Sequence, residues 1–429
     1  MNGQEIKQYI DRVQTLGSVY GLDTMKELLR RLKNPQNRVP VLHIAGTNGK
    51  GSILAMLSAI LEEAGYQCGR YISPTIFTYL EKFQVNGIYM SQKELEELMT
   101  EVAKEAKEME QEGYAHPTLF EIETAIAFLW FAKKQVDLVL LETGLGGRLD
   151  STNVVEKPIC VLFSSISYDH MDLLGNTLEE IAKEKAGIMK KKVPIISYDN
   201  PIEVKEVLIE RAKQLEAPIT FTENHKIYLE QYGMDGQVFS YKNYTHMALA
   251  LLGNHQLQNV TVVLDTLDIL KEYYQIEESH IRKGLQNVRW QGRFEVVKES
   301  PTWIRDGAHN EDAAKQLKES LEQYVLMKKG QDHKEGRLFY IMGVFADKEY
   351  EKMLEILAPL AHMIITIEKV GNQRVLPSNQ LAKVARKYNV NVINGKTLEQ
   401  AVSFVKQILK QEDTVAVFGS LSFIGELHI

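Results

Sequence analysis

Two cysteines in 429 residues, Cys68 and Cys160, exclude a disulfide framework and a thiolate metal cluster. Both sit beside apolar residues and read as reduced core groups of a cytosolic protein. No apolar run approaches the roughly 20 residues that would span a bilayer, so a membrane partner is excluded. The opening Met-Asn-Gly-Gln-Glu lacks the basic, apolar and small-residue succession of a secretory signal, and a soluble, cytoplasmic chain is expected. An excess of positive charge is also missing. Fifty basic against 57 acidic residues give a net charge of -7, which argues against nucleic acid as the main partner while leaving room for a local basic pocket. Low-complexity tracts and 20–50-residue repeats are absent, which sets aside linker-like and solenoid classes.

What remains is an ordinary globular composition, 44% hydrophobic and 25% charged, at a length beyond one core, so two domains are expected. Apolar strand-like runs alternate with helical patterns, the signature of parallel α/β architecture. Candidate strands fall at 39–45, 136–142, 158–166 and 193–197, and a second set at 302–306, 337–344, 363–368 and 414–419. Between the sets lies Trp290-Gln-Gly-Arg293, and the boundary is placed near residue 298. The charged segment 93–112 reads as a solvated helix face.

The run Val39-Pro-Val-Leu-His-Ile-Ala breaks into Gly46-Thr-Asn-Gly-Lys-Gly-Ser52, and a helical pattern follows that stops at Gly65. Strand, glycine loop and helix make a phosphate cradle: N–H groups converge, the helix N-terminus favours anions, and Lys50 adds a charge. The spacing departs from the usual phosphate loop, with only Thr47 and Asn48 between Gly46 and Gly49, and Gly51 inserted before Ser52.

Further groups collect at strand ends, where doubly wound sheets hold ligands. Val136-Asp-Leu-Val-Leu-Leu-Glu142 ends in a carboxylate that can reach a Mg²⁺ carried by nucleotide phosphates; a plain surface or capping glutamate is the bland alternative. His170, between Asp169 and Asp172, suits metal or ribose contact. Thr177-Leu-Glu-Glu180 fits a capping box, so a helix starts near 178, and its apolar stripe includes Lys185. A snorkelling lysine explains this; so does a buried amine of lowered pKa, which can react with carbon dioxide to a carbamate. Leu252-Gly-Asn-His-Gln256 with Asn259, and Asp306-Gly-Ala-His-Asn310, are polar turns of the kind that contact nucleotides.

Together these residues resemble the folylpolyglutamate synthase and dihydrofolate synthase family of the Mur ligase superfamily. The likeness runs from about Tyr20 to the C-terminus. It includes Gly21-Leu-Asp, Leu-Leu-Arg-Arg-Leu-Lys-Asn-Pro35, Gly46 to Ser52, Ser73-Pro74, Thr118-Leu-Phe-Glu-Ile-Glu-Thr124, Glu142 to Asn153, Asp169-His170 and Glu184-Lys-Ala-Gly-Ile188. Beyond these it takes in Gly253 to Gln256, Gly292-Arg293, Asp306 to Asn310, Asp347-Lys348 and Gly419-Ser420.

The resemblance implies an ATP-binding domain with a mostly parallel sheet over residues 1–298, of the Mur ligase central type. A smaller Rossmann-like glutamate ligase domain would cover 299–429. It implies that ATP phosphorylates a folate carboxylate and that the amine of L-glutamate then displaces phosphate. Thr47, Asn48, Gly49, Lys50, Gly51 and Ser52 would hold the triphosphate, with Asn259, Arg293 and Asp306 on the nucleotide. Ser52, Ser73 and Glu142 would bind one Mg²⁺, and His170 with a carbamate on Lys185 a second; a monovalent cation also fits the family. Lys50, Lys185, Arg293 and His309 would be catalytic, and Ser73, Phe120, Glu121, His309 and Ser420 would meet the substrates. The substrates implied are a reduced folate, with dihydropteroate as a second acceptor, L-glutamate and ATP, on a monomer. Three departures fall on this pattern: Thr75 stands where the family usually has His, Leu80-Glu81-Lys82 replaces Asn-Glu-Arg, and Gln291 replaces a Pro. They bear on the pterin side of the site. A Mur-type cell-wall peptide ligase is the alternative enzyme, although the phosphate loop starts about 45 residues in and leaves no room for a preceding nucleotide-sugar domain. A nucleotide-gated binding paralogue is the non-enzyme alternative.

Overall fold

Strand β1 (Val41–Ala45) is buried at every position and pairs in parallel with two later strands, β5 (Leu138–Glu142) and β6 (Cys160–Phe163). Short, largely apolar runs with both faces covered read as hydrophobic stretches, and for that reason these strands are visible in the sequence. The computed structural model describes residues 1–16, 21–326, 336–369, 374–427 and 429. Tyr20, where the family resemblance begins, lies outside them.

The described residues form two compact units. The first comprises 1–74, 78–226 and 259–285. Its eight-stranded sheet also contains β2 (Cys68–Tyr71), β3 (Phe83–Val85), β4 (Ile88–Tyr89), β7 (Ile195–Ser197) and β8 (Ile219–Phe221). The order is β4-β3-β2-β5-β1-β6-β7-β8, parallel except for the β2–β3 and β3–β4 pairs. Helices Gln92–Gln111 and Leu119–Lys134 enclose one core with Tyr71, Phe83, Leu141 and Phe128, while Leu178–Ala186 and Ile202–Gln214 enclose another with Phe163 and Ile195. Each large apolar side chain fully buried there contributes about 1.5–3 kcal/mol. The charged segment 93–112 is thus helical but not merely solvated: Leu95, Leu98, Met99 and Val102 face the core.

Because β1 lies between β5 and β6, the loops leaving these three strands emerge side by side at the carboxyl edge of the sheet. That edge holds the candidate site.

The second unit comprises 75–77, 227–258 and 286–429. A three-stranded antiparallel sheet runs β9 (Ile227–Gly233), β10 (Gly236–Tyr241) and β11 (Tyr244–Leu249) in the order β11-β10-β9. A six-stranded sheet contains β12 (Glu295–Glu299), β13 (Thr302–Arg305), β14 (Leu338–Met342), β15 (Met363–Ile367), β16 (Val392–Lys396) and β17 (Thr414–Phe418). Its order is β12-β13-β17-β14-β15-β16, parallel apart from the β12–β13 hairpin, as a Rossmann-like arrangement requires. The boundary expected at residue 298 falls inside β12. Antiparallel pairing with β13, and Phe294 in the core beneath, carry residues 286–298 with the second unit.

Candidate active site

Gly46 and Gly49 shape the turn after β1. Gly46 has φ +151° and lies so close to Ser164 that a side chain there would collide with its hydroxyl. Gly49, at φ +92°, begins the helix Lys50–Glu63, and a β-carbon on it would strike the Asn259 amide. Both positions therefore demand glycine on conformation and on space. Asn259, expected on the nucleotide, is 4% exposed.

The loop is anchored to the exit of β6. Thr47 N–H donates to Ser165 O at 2.7 Å, and its hydroxyl donates to Ser167 O at 3.0 Å while accepting from Ser167 N–H at 3.1 Å. The Lys50 ammonium folds back on the loop, donating to Gly46 O at 3.1 Å and Thr47 O at 3.3 Å, and lies 3.7 Å from Glu142 Oε1 at the end of β5. The other oxygen of Glu142 accepts from Ser73 N–H at 3.3 Å. Phosphate loop, Glu142 and Ser73 are thus brought together, and Ser52 is buried in the first turn of the helix.

Lys185 meets the same loop. The Thr177 capping box starts the helix at Leu178, which turns Lys185 inward. The side chain is 5% exposed and its Nζ donates to Gly46 O at 2.8 Å. Burial, with the Lys50 charge adding to it, lowers its pKa from 10.5 to about 7; Asp169 and Asp150 oppose the shift. Snorkelling is excluded, and an amine in this state has an appreciable neutral fraction near neutral pH. His170 adopts a left-handed backbone at φ +50°, with Nε2 3.9 Å from Asp169 Oδ1. It is exposed.

Glu142, Ser52 and Ser73 would offer one carboxylate and two hydroxyls. Among the described residues no cluster of three His, Cys, Asp or Glu could hold a metal alone. Such a set fits Mg²⁺ delivered with phosphate oxygens, because Mg²⁺ keeps few protein ligands and completes its octahedron with phosphate and water.

Phe120, expected to meet substrate, lies against Gly144, and its ring is 6.0 Å from that of Tyr71. Glu121 is 4% exposed and its carboxylate accepts from Thr118 N–H at 2.7 Å, so it is committed to a helix cap. In the departing segment, Glu81 likewise closes a capping box with Thr78, and Lys82 pairs with the buried Glu123 at 2.5 Å. Of the altered residues, Lys82 is thus paired within its own unit.

The sequence reading missed a buried relay behind the loops. His43 Nε2 donates to Thr152 Oγ1 at 2.8 Å, Thr152 Oγ1 donates to Asp150 Oδ1 at 2.5 Å, and Asp150 Oδ2 accepts from Leu145 N–H at 2.8 Å. This ties β1 to the glycine-rich loop after Glu142. Burial raises the Asp150 pKa, and lowers that of His43 to about 3, so the imidazole is neutral. Asp150 lay in the quoted Glu142–Asn153 motif; His43 gave no signal within an apolar strand.

In the second unit, Asp306 accepts from Phe294 N–H at 2.7 Å and Ala308 N–H at 2.8 Å. Burial raises its pKa, opposed by the neighbouring Arg293. Arg293 Nη1 donates to Gly292 O at 3.0 Å, and His309 Nδ1 donates to Gly307 O at 2.8 Å. Burial, then Arg293, lowers the His255 pKa to about 4. Ser420 caps the short helix Leu421–Ile424. Arg293, Asp306 and His309 therefore form one cluster.

Residues 44–267 match the Mur ligase middle domain, and residues 292–421 match the Mur ligase glutamate ligase domain. Among curated relatives, the chain is 35% identical to the dihydrofolate synthase/folylpolyglutamate synthase of Bacillus subtilis, over 99% of this chain and 98% of that one. Among solved structures, it superposes on the folylpolyglutamate synthase of Thermotoga maritima with a TM-score of 0.84 at 30% identity, covering 98% of this chain and 94% of that one. It superposes equally, at 0.84 and 28% identity, on E. coli FolC in complex with DHPP and ADP, covering 98% and 96%.

Proposed function

The chain belongs to the folylpolyglutamate synthase and dihydrofolate synthase family of Mur ligases, and on that premise we propose how its residues join a folate to L-glutamate. It is an ATP-dependent ligase forming an amide bond. In this reading ATP phosphorylates the terminal carboxylate of a reduced folate, and the glutamate amine displaces phosphate. Dihydropteroate is taken as a second acceptor, in keeping with the double name of the Bacillus relative. The observation that carries the reading is the meeting of two lysines, Lys50 and Lys185, on the carbonyl of Gly46, with Glu142 beside the first.

The roles follow from charge. Transfer of a phosphoryl group to a carboxylate brings two anions together, so cationic groups must offset repulsion. Lys50 leaves the loop carbonyls for the phosphates, which enter at the start of helix Lys50–Glu63. Ser52, Ser73 and Glu142 would hold Mg²⁺, which lends its charge to the transferring phosphate. Asn259, Arg293 and Asp306 are assigned to the nucleotide, with Arg293 also facing the transferred phosphate. Phe120 lines the folate side, Glu121 fixes the helix behind it, and His309 and Ser420 seat glutamate. The neutral Lys185 amine would add to carbon dioxide, forming an N–C bond and losing one proton, and the carbamate with His170 would hold a second Mg²⁺. A monovalent cation would complete this set. We take the chain to work as a cytoplasmic monomer, with the nucleotide bound by its N-terminal domain and glutamate by its C-terminal one.

Incubation with ATP, Mg²⁺ and radiolabelled L-glutamate tests the reading. Label is expected in tetrahydrofolate and in dihydropteroate, and not in a UDP-muramyl acceptor. Failure to label every pteridine acceptor overturns it. Replacing Lys185→Ala should abolish turnover, with partial recovery on adding short-chain carboxylic acids; unimpaired activity removes the carbamate.

A further inference from the structure

A polar cavity of about 370 Å³ lies within the first unit, away from the phosphate loop, between the helix Asp23–Arg31 and the segment around Asn153. Its charged lining is Lys26, Lys190 and Glu156, and its amide lining includes Asn34, Gln36 and Asn153. None of the roles proposed above uses any of these.

Two features indicate a built site. Gln36 is 8% exposed; its Nε2 donates to Asn34 Oδ1 at 3.3 Å, yet no donor among the described residues reaches its buried Oε1. A buried acceptor left without a donor costs roughly 1–3 kcal/mol, which a ligand N–H recovers. Lys190 is half-buried and spends two of its three N–H bonds on Asn153, at 2.7 Å to Oδ1 and 3.3 Å to the carbonyl, leaving one. Burial and the like charge of Lys26 both lower its pKa, while Glu156 opposes them. The three charges therefore feel one another.

We propose that this cavity is a second, non-catalytic site for a free acidic amino acid of the L-glutamate type. Two lysines and one carboxylate complement two carboxylates and one ammonium group by group, with net charges of opposite sign. The ligand ammonium meets Glu156 and the Gln36 carbonyl oxygen; its carboxylates meet Lys26 and Lys190. Inorganic phosphate satisfies the lysines but sets an anion against Glu156, and a monocarboxylic amino acid leaves one lysine unmatched. The site also has a path to the chemistry. Asn153, which holds Lys190, donates to Arg148 O at 2.9 Å in the glycine-rich loop and to Gly187 O at 3.1 Å, two residues beyond Lys185.

Equilibrium dialysis of the full chain with radiolabelled L-glutamate, without nucleotide or pteridine, tests this independently of the ligation reaction. Saturable binding is expected to persist in the His309→Ala, Ser420→Ala double variant. Lys26→Met and Glu156→Gln should each weaken it about tenfold or more, since each removes a charge-assisted hydrogen bond. Lys26 is exposed, so its replacement leaves the fold intact, and both variants should keep wild-type turnover at saturating substrates. Binding that is lost in the double variant but unchanged in these two would belong to the substrate site alone and overturn the proposal. Uptake of phosphate in place of L-glutamate would overturn it equally.

Discussion

His43 and Lys185 are buried bases beside the same loop, one in the strand that leads into it and one donating to its Gly46 carbonyl, and their surroundings give them opposite uses. His43 is fully buried between β5 and β6, with a neutral hydroxyl as its hydrogen-bond partner, so burial, aided by the Lys190 charge, holds its pKa near 3. Lys185 is buried too, but Asp169 and Asp150 oppose the combined effect of burial and the Lys50 charge, which leaves it near 7, where an amine is available for reaction. The histidine carries a pH signature of its own. Its folded pKa is depressed below the unfolded value of about 6.5, so the unfolded chain binds the extra proton first as pH falls. Stability from this group is complete above about pH 6.5 and declines by about 1.4 kcal/mol per pH unit below it, down to about pH 3. A His43→Leu variant should show a shallower loss of Tm between pH 7 and pH 5 than the wild type; parallel profiles would show that the ring titrates normally. Lys185 was legible in the sequence because the Thr177 box fixes the helical frame. His43 was not, since an imidazole in an apolar strand looks the same whether it relays a hydrogen bond or fills space.

At the scale of elements, the helix Leu178–Ala186 shows two preferences in competition at Gly187. The residue has helical dihedrals, φ -60° and ψ -17°, for which alanine is preferred over glycine by about 1 kcal/mol. A β-carbon there would, however, press on the backbone of Arg148, which is held by its N–H to Glu184 O at 2.8 Å. Overpacking against a fixed backbone costs about 1–3 kcal/mol, so the steric term wins. Gly187→Ala should lower Tm by several degrees and depress turnover by shifting the loop after Glu142, whereas Lys183→Ala on the exposed face should do neither. A stabilised Gly187→Ala protein would mean that Arg148 yields freely. The same weighing of local against tertiary signals explains which elements the sequence disclosed. β1, β5, β14 and β17 are covered on both faces and read as apolar runs. The antiparallel β9–β11 sheet passed unnoticed because its strands are half-exposed, with Tyr228 67% accessible, and hydrophobic and polar residues mix along them. Strands as short as β4, two residues, carry no periodicity to detect.

For the molecule as a whole, the sequence located two α/β assemblies but drew a single cut between them, whereas the chain contributes three separate stretches to each unit. A cut at 298 reads the apolar run of β13 as the first strand of a new domain. It cannot see that the preceding polar strand folds back on β13 as its hairpin partner, because Glu295 and Lys298 resemble linker residues. The consequence is measurable on fragments. A chain of residues 299–429 loses β12, leaves the edge of β13 unpaired, and strips Arg305 of Glu295, its partner at 2.6 Å. It also loses Phe294, which is 2% exposed within the core around Tyr324 and Leu338. Removing a buried aromatic side chain alone costs about 3–5 kcal/mol, against a total stability of about 5–15 kcal/mol for a domain. An exposed strand edge adds a route to aggregation. A fragment of residues 286–429 keeps the hairpin, the ion pair and Phe294, and should melt cooperatively by circular dichroism. The 299–429 fragment should show no cooperative transition, or precipitate. Equal melting of the two would mean that β12 is dispensable and that 298 is the working boundary of the domain.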